Sequence, residues 1–142
     1  MPTPKSIQST VIPVLRYDDA PAAIDWLCAA LGFEKRLVVP GENGTVLHAQ
    51  LTYHHGMIML GTTRPEERSL GEAKGPGICL IVEDADANLA VAAAHGATIV
   101  RDIEDMPFGG RAFTCADPEG NLWHIGTYDP WEEVPPVSST VV

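Results

Sequence analysis

Basic residues are scarce in this chain. Nine lysines and arginines stand against 19 aspartates and glutamates among 142 residues, which gives a formal net charge of −10. Binding to nucleic acid or to an anionic membrane depends on clustered lysines and arginines that contact phosphate groups. The charge balance therefore predicts neither kind of partner, and it is compatible with a small-molecule ligand that carries a positive charge.

Cysteine is also scarce, and the chain has no long hydrophobic run. The three cysteines, Cys28, Cys79 and Cys115, form an odd set without a CxxC pair. Such a set argues against a disulfide framework and favours a reducing compartment. The opening residues MPTPKSIQST lack the apolar core of a signal peptide, and no window approaches the length of a membrane span. We therefore expect a cytoplasmic protein without a membrane partner.

What the chain does contain is a strand–helix–strand pattern. The β-branched segment Thr10–Tyr17 is typical of a strand. Asp18 or Asp19 can cap a following helix, Pro21 suits its first turn, and Gly32 suits its left-handed end. The segments EKRLVV, TVLHAQLTY and MIMLG then predict three strands joined by hairpin turns.

The same pattern occurs again after the polar segment TRPEERSLGEAKGP. GICLIVED predicts a strand, ADANLAVAAAHG a helix, and ATIVRDIED, GRAFTCAD and NLWHIGTY three further strands. The aspartates at the two helix starts, Asp19 and Asp84, lie nearly half the chain apart. Because each helix covers one face of its sheet, we expect the open faces to meet across a ligand-binding concavity. The predicted parts are a lead-in (1–9), one α+β domain (10–131) with two βαβββ modules (10–64 and 77–129), and a flexible Pro-rich tail (132–142).

Two segments carry a resemblance to a known family. VLRYDDAPAAIDWLCAALGF near the start and DPEGNLWHIGTYDPW near the end, together with the tandem pattern, resemble the vicinal oxygen chelate superfamily. This group includes glyoxalase I, bleomycin-resistance proteins and extradiol dioxygenases. The resemblance implies a cupped mixed β-sheet with one helix per module on its outer face, commonly in a homodimer. It also implies that the enzymes of the family hold a divalent metal on the first and last strands of each module.

The four metal-ligand positions that the resemblance implies can be read in this chain. They fall near Ile12, near Met59, at Gly77 and at His124. A divalent ion of this kind needs several imidazole or carboxylate donors, usually three or more. Only His124 offers one, so we predict no metal ligands and no cofactor.

Nine residues are predicted to line the ligand cavity. His124 lies on the face of the last strand that the resemblance assigns to the cavity. Arg16 shares a strand face with Val14, and it needs either an anionic ligand group or a nearby acid as its partner. The full set is Arg16, His48, Gln50, Met59, Cys79, Phe108, Arg111, Phe113 and His124.

Several of these residues have an alternative role. His48 and Gln50 share a strand face that either lines the concavity or contacts solvent. Met59, Cys79 and Phe113 suit a soft, apolar pocket wall, which ordinary core packing explains equally well. Phe108 and Arg111 flank two glycines in a segment that resembles the family's loop over the second cavity, and a plain hairpin is the alternative.

The favoured function is metal-independent binding or sequestration of a small molecule, an antibiotic or a metabolite, in a cavity between modules or subunits. No catalytic residue is assigned. One alternative is a metal-dependent lyase, isomerase or dioxygenase with displaced ligands drawn from His124, His48, Glu104 or Asp105. A third hypothesis is an interaction domain without a small ligand.

Overall fold

The computed structural model describes residues 9–65 and 77–131. The predicted lead-in, except Ser9, and the predicted tail at 132–142 lie outside the described residues. The first module contains β1 (Val14–Tyr17), α1 (Ala20–Leu31), β2 (Glu34–Pro40), β3 (Val46–Tyr53) and β4 (Gly56–Thr62). The second contains β5 (Ile78–Ile81), α2 (Ala85–Ala94), β6 (Thr98–Asp105), β7 (Arg111–Ala116) and β8 (Leu122–Gly126). The predicted α+β fold with two βαβββ modules is confirmed.

Each module forms a four-stranded mixed sheet with the same topology. The strand orders are β1-β4-β3-β2 and β5-β8-β7-β6. In each sheet the first strand pairs parallel to the last, and the other neighbours are antiparallel. Met59 on β4 and His124 on β8 therefore occupy equivalent places, each beside the first strand of its module.

Capping hydrogen bonds mark the start of both helices, and a left-handed glycine marks the end of α1. The Asp19 carboxylate accepts a hydrogen bond from Ala22 N at 3.1 Å, and Asp84 accepts one from Ala87 N at 3.1 Å. These bonds satisfy backbone donors that a first helical turn leaves open. The helix α1 ends at Gly32, whose φ of 85° is left-handed, as its glycine predicts. Of the two possible caps of α1, Asp19 is the one used.

The two modules share one hydrophobic core on their helix sides. Helices α1 and α2 contact each other, and the indole of Trp26 on α1 donates to His95 O at 2.8 Å. Phe33 packs edge-on against the fully buried Trp123, with ring centroids 5.6 Å apart. One face of each sheet is therefore buried on the helix side, and neither helix covers the other face, which is called the open face below.

The turn after β7 ties the second module to the first. Asp117 is 4% exposed, and its Oδ2 accepts hydrogen bonds from the Tyr17 hydroxyl at 2.7 Å and from the Trp123 indole at 3.1 Å. Glu119 accepts bonds from the backbone N–H groups of Asp18 and Asp19 at 2.6 and 2.9 Å. Asp117 thus binds the end of β1, and Glu119 binds the segment between β1 and α1.

No helix among residues 9–65 and 77–131 is long and apolar enough to cross a membrane.

Candidate functional site

A pocket of about 380 Å³ lies on the open face of the second sheet. This volume lies within the usual range for sites that enclose small molecules. All of its lining residues belong to the second module, so the two modules of one chain do not share it. They are Cys79, Arg101, Glu104, Met106, Phe108, Ala112, Phe113, Thr114, His124, Gly126, Tyr128 and Pro130.

Strand register places the polar groups of the floor in one row. Cys79 pairs with His124, His124 with Thr114, and Thr114 with Arg101. Because paired residues point to the same side of a sheet, these four side chains cross all four strands of the open face. The neighbouring row is small and apolar in its middle, where Gly126 pairs with Ala112.

Two neighbours determine the position of His124. Its Nδ1 lies 2.9 Å from Thr114 Oγ1, on the adjacent strand. On the other side the ring occupies the space beside Gly77, where a side chain would otherwise project. A Cβ added at Gly77 would collide with His124 Nε2 and would lie 2.7 Å from Cδ2. The imidazole can occupy this position because residue 77 has no side chain.

An aromatic pair forms one wall of the pocket. Phe108 and Tyr128 pack edge to face, with ring centroids 4.9 Å apart and planes at 82°. The loop that carries Phe108 turns through Gly109 and Gly110, whose φ angles are 121° and 75°. A Cβ at Gly110 would lie 2.6 Å from Thr127 Oγ1, so this glycine is needed for space as well as for its backbone conformation.

Arg111, predicted as a ligand contact, lies outside the lining of this pocket. Its guanidinium donates to Asp86 at 3.1 and 3.2 Å and to Asp105 at 3.0 Å. The hydrogen bonds to Asp86 and Asp105 raise the pKa of Arg111. It thus joins the start of α2 to the end of β6 on the surface.

Four predicted ligand contacts lie on the first module. Met59 pairs with both Val14 and Gln50, so these side chains share the open face of the first sheet. His48 lies on the same face, and its Nε2 is 3.2 Å from Gln50 Nε2. Arg16 extends over Gly61, where an added Cβ would lie 2.5 Å from its Nη1. None of Arg16, His48, Gln50 and Met59 lines the second-module pocket.

Sequence reasoning did not name eight of the twelve lining residues as ligand contacts, among them Thr114 and Tyr128. Thr114 could have been found by counting outward from the turn at Asp117, since the hairpin register places it opposite His124. Tyr128 follows β8, and nothing in its local pattern links it to Phe108. Cys79, Phe108, Phe113 and His124, which the sequence singled out, do line the pocket.

The donor set at the family's metal positions does not fit a divalent ion. Ile12 and Met59 offer no nitrogen or oxygen side-chain donor, and the space beside Gly77 is filled by the imidazole of His124. In the described part of the chain, no three His, Cys, Asp or Glu residues converge to hold a metal ion. A hard or borderline ion needs such convergence.

Comparisons with known proteins agree with the fold. A family model described as the Glyoxalase/Bleomycin resistance protein/Dioxygenase superfamily matches residues 7–125. An uncharacterised protein of Mycobacterium tuberculosis (strain ATCC 25618 / H37Rv) is 33% identical over 129 residues, which cover 85% of this chain and 75% of the relative. TioX from Micromonospora sp. ML1 has 34% identity and a TM-score of 0.66, over 83% of this chain and 97% of TioX.

A more distant structure shows the same fold. TnmS3, an antibiotic binding protein from Streptomyces sp. CB03234, has 21% identity and a TM-score of 0.64, over 85% of this chain and 96% of TnmS3. Enzymes of the superfamily share the fold as well. Because the family model matches most of this chain, the chain belongs to the glyoxalase/bleomycin resistance protein/dioxygenase superfamily.

Proposed function

We propose that this protein binds an apolar small molecule on the open face of the second module and sequesters it without a metal ion. The observation that carries the proposal is the pocket itself. Its walls are largely apolar and include the Phe108–Tyr128 pair, while its floor holds a short row of hydrogen-bonding groups around His124. Apolar walls with a few placed polar groups are the usual composition of small-molecule sites.

The chemistry of the pocket favours binding over covalent catalysis. Burial raises the pKa of the Cys79 thiol, which disfavours the thiolate that a nucleophile requires. Three of the four ligand positions of the family's metal enzymes hold Ile, Met and Gly, which supply no donor, and His124 alone is too few donors for Lewis-acid chemistry.

The comparisons include a binding protein with the same fold. TnmS3 is an antibiotic binding protein, and at 21% identity it shows the shared fold but does not identify a ligand for this chain. We infer an antibiotic or a metabolite as the ligand class because a largely apolar molecule of moderate size fits a pocket of about 380 Å³.

The proposal is tested with untagged protein and a pocket-filling variant. A thermal-shift panel of antibiotics, including bleomycin, and of metabolites is run on the wild type, on Ala112→Trp and on Ala90→Trp. Ala112 lines the pocket, whereas Ala90 is exposed on α2. We expect a compound that raises the Tm of the wild type and of Ala90→Trp but not that of Ala112→Trp.

Two outcomes contradict the proposal. Silence across a broad panel would point to an interaction domain without a small ligand. Stoichiometric Ni, Zn, Fe or Mn in the purified, untagged protein, measured by mass spectrometry, would point instead to a metal-dependent lyase, isomerase or dioxygenase.

A further inference from the structure

The hydroxyl of Thr114 has one partner among the described residues. Thr114 is 6% exposed, and the hydrogen bond of its side chain is the one with His124 Nδ1 at 2.9 Å. A hydroxyl carries a single hydrogen to donate, and it can accept at two lone pairs. The direction of this one bond therefore decides whether the buried hydroxyl hydrogen is satisfied.

Only one direction gives the hydroxyl hydrogen an acceptor within residues 9–65 and 77–131. If Nδ1–H donated to Thr114, the O–H of this largely buried threonine would have no acceptor among those residues. An unmade buried donor disfavours that arrangement by roughly tenfold or more. If Thr114 donates to Nδ1, the hydroxyl hydrogen is satisfied and the ring proton of neutral histidine lies on Nε2.

The other ring nitrogen, Nε2, lies beside Gly77. His124 is exposed and lines the pocket, and its Nε2 has no hydrogen-bond partner within the described part of the chain. The absent side chain at Gly77 leaves the space in which this edge of the ring lies.

We propose that Thr114 and Gly77 hold His124 in its Nε2–H form, so that the pocket floor presents one fixed hydrogen-bond donor to a carbonyl-type oxygen of the ligand. The proposed hydrogen bond to a ligand rests on the proposed binding function, whereas the Nε2–H form of His124 and its cause do not. His124 is the contacting residue, and Thr114 and Gly77 are positioning residues. The Cys79 thiol beside it is a weak donor and adds little selection.

Nitrogen NMR of ¹⁵N-histidine-labelled protein tests the tautomer in mildly alkaline buffer, where free imidazole is neutral. His95 is an internal contrast, because its Nδ1 lies 2.9 Å from the carbonyl oxygen of Val91 and must donate. We expect His95 to report Nδ1–H and His124 to report Nε2–H. A spectrum in which His124 also reports Nδ1–H would overturn the proposal, whether or not any ligand binds.

Variants test what holds the ring. In Thr114→Val the tautomer ratio of His124 should relax to that of the exposed His55 in the same spectrum. Gly77→Ala should displace the ring and shift the His124 signals, whereas Gly56→Ala, whose added Cβ meets only Tyr53 O at 3.3 Å, should not. An unchanged His124 signal in both Thr114→Val and Gly77→Ala would refute the roles of these residues.

A matched pair of probes tests the ligand chemistry. Fluorenone and fluorene have the same flat shape, and only fluorenone carries a carbonyl acceptor. We expect the wild type to prefer fluorenone by roughly three- to tenfold in dissociation constant, the yield of one hydrogen bond. His124→Phe, which keeps a planar ring, should remove the preference, and in that background Gly77→Ala should not alter it further.

The outcomes separate the two proposals. Equal binding of both probes to the wild type would refute the donor while leaving binding intact. If neither probe binds, the proposed hydrogen bond to a ligand and the proposed binding function of the pocket both lose support. The NMR result alone then decides the tautomer.

Discussion

At the scale of single residues, burial controls two ionisable groups in the core. Cys115 on β7 and Tyr17 on β1 have no exposed surface. Burial, aided by the charge of Asp117, raises the pKa of the Cys115 thiol to about 11. Burial and the same carboxylate also raise the pKa of Tyr17. Both groups stay protonated in the folded protein at a pH where an unfolded chain would ionise them.

This difference predicts a loss of stability at high pH. The folded pKa of Cys115 lies above its unfolded value of about 9. The contribution of Cys115 to the unfolding free energy should therefore be fully present below about pH 9 and should be lost as pH rises toward 11. The expected loss from Cys115 is on the order of 2 kcal/mol, with a further loss from Tyr17 at higher pH. Urea unfolding as a function of pH measures it.

Cys115→Ala is the control for this slope. The substitution lowers stability at every pH because it removes buried volume, but it should flatten the decline between about pH 9 and pH 11. An equally steep decline in the variant would show that another group is responsible.

At the scale of elements, the turn between β7 and β8 does more than reverse the chain. The sequence predicts a hairpin turn at Asp117-Pro118-Glu119-Gly120 with a left-handed glycine, and the φ of 88° at Gly120 confirms it. That pattern does not reveal that the Asp117 carboxylate accepts bonds from Tyr17 and Trp123. These partners lie far apart in sequence or on another strand, so only the folded chain brings them together.

The turn predicts a difference between two substitutions. The Asp117 carboxylate accepts four hydrogen bonds, from the Tyr17 hydroxyl, the Trp123 indole and the backbone N–H groups of Glu119 and Asn121. In Asp117→Asn an amide N–H₂ replaces one of the accepting oxygens. Of the four partners, only the Tyr17 hydroxyl can accept a hydrogen bond from it. We expect Asp117→Asn to lower the unfolding free energy by about 2–4 kcal/mol. Tyr17→Phe removes one donor and leaves Trp123 bonded to the carboxylate, so about 1–2 kcal/mol should be lost.

Urea denaturation of both variants measures these losses. The order of the two effects is the decisive observation. If Tyr17→Phe cost as much as Asp117→Asn, the carboxylate would not be the centre of this contact.

At the scale of the whole molecule, apolar side chains on the open face of the first sheet are exposed in the described part of a single chain. Val14 is 61% exposed and Leu37 43% exposed on strands β1 and β2. Exposed apolar clusters of this kind mark contact surfaces in many proteins. The homodimer predicted from the family resemblance would cover this surface with a second copy.

A charge on this face should weaken the dimer. We expect the wild type to sediment as a dimer and Val14→Lys to raise the dissociation constant roughly tenfold or more, since an unpaired ammonium group would be buried. Val91→Lys is the matched control, because Val91 is 45% exposed on α2. A monomeric wild type in analytical ultracentrifugation, or equal weakening by both lysines, would contradict a dimer built on the first sheet.

The sequence by itself determined the elements of this protein. Strand alternation, the caps at Asp19 and Asp84 and the glycine turns are local signals that act over a few residues, and they were sufficient to predict two βαβββ modules. His124 was singled out by the resemblance of its strand to the family. Tertiary structure decided the partners. The pairing of Thr114 with His124, the space beside Gly77 and the location of the pocket on the second module alone depend on strand register and on packing between distant segments. Local periodicity does not encode such contacts, because they depend on the register between strands and on the space that neighbouring strands leave, which form only when the sheet of the second module assembles.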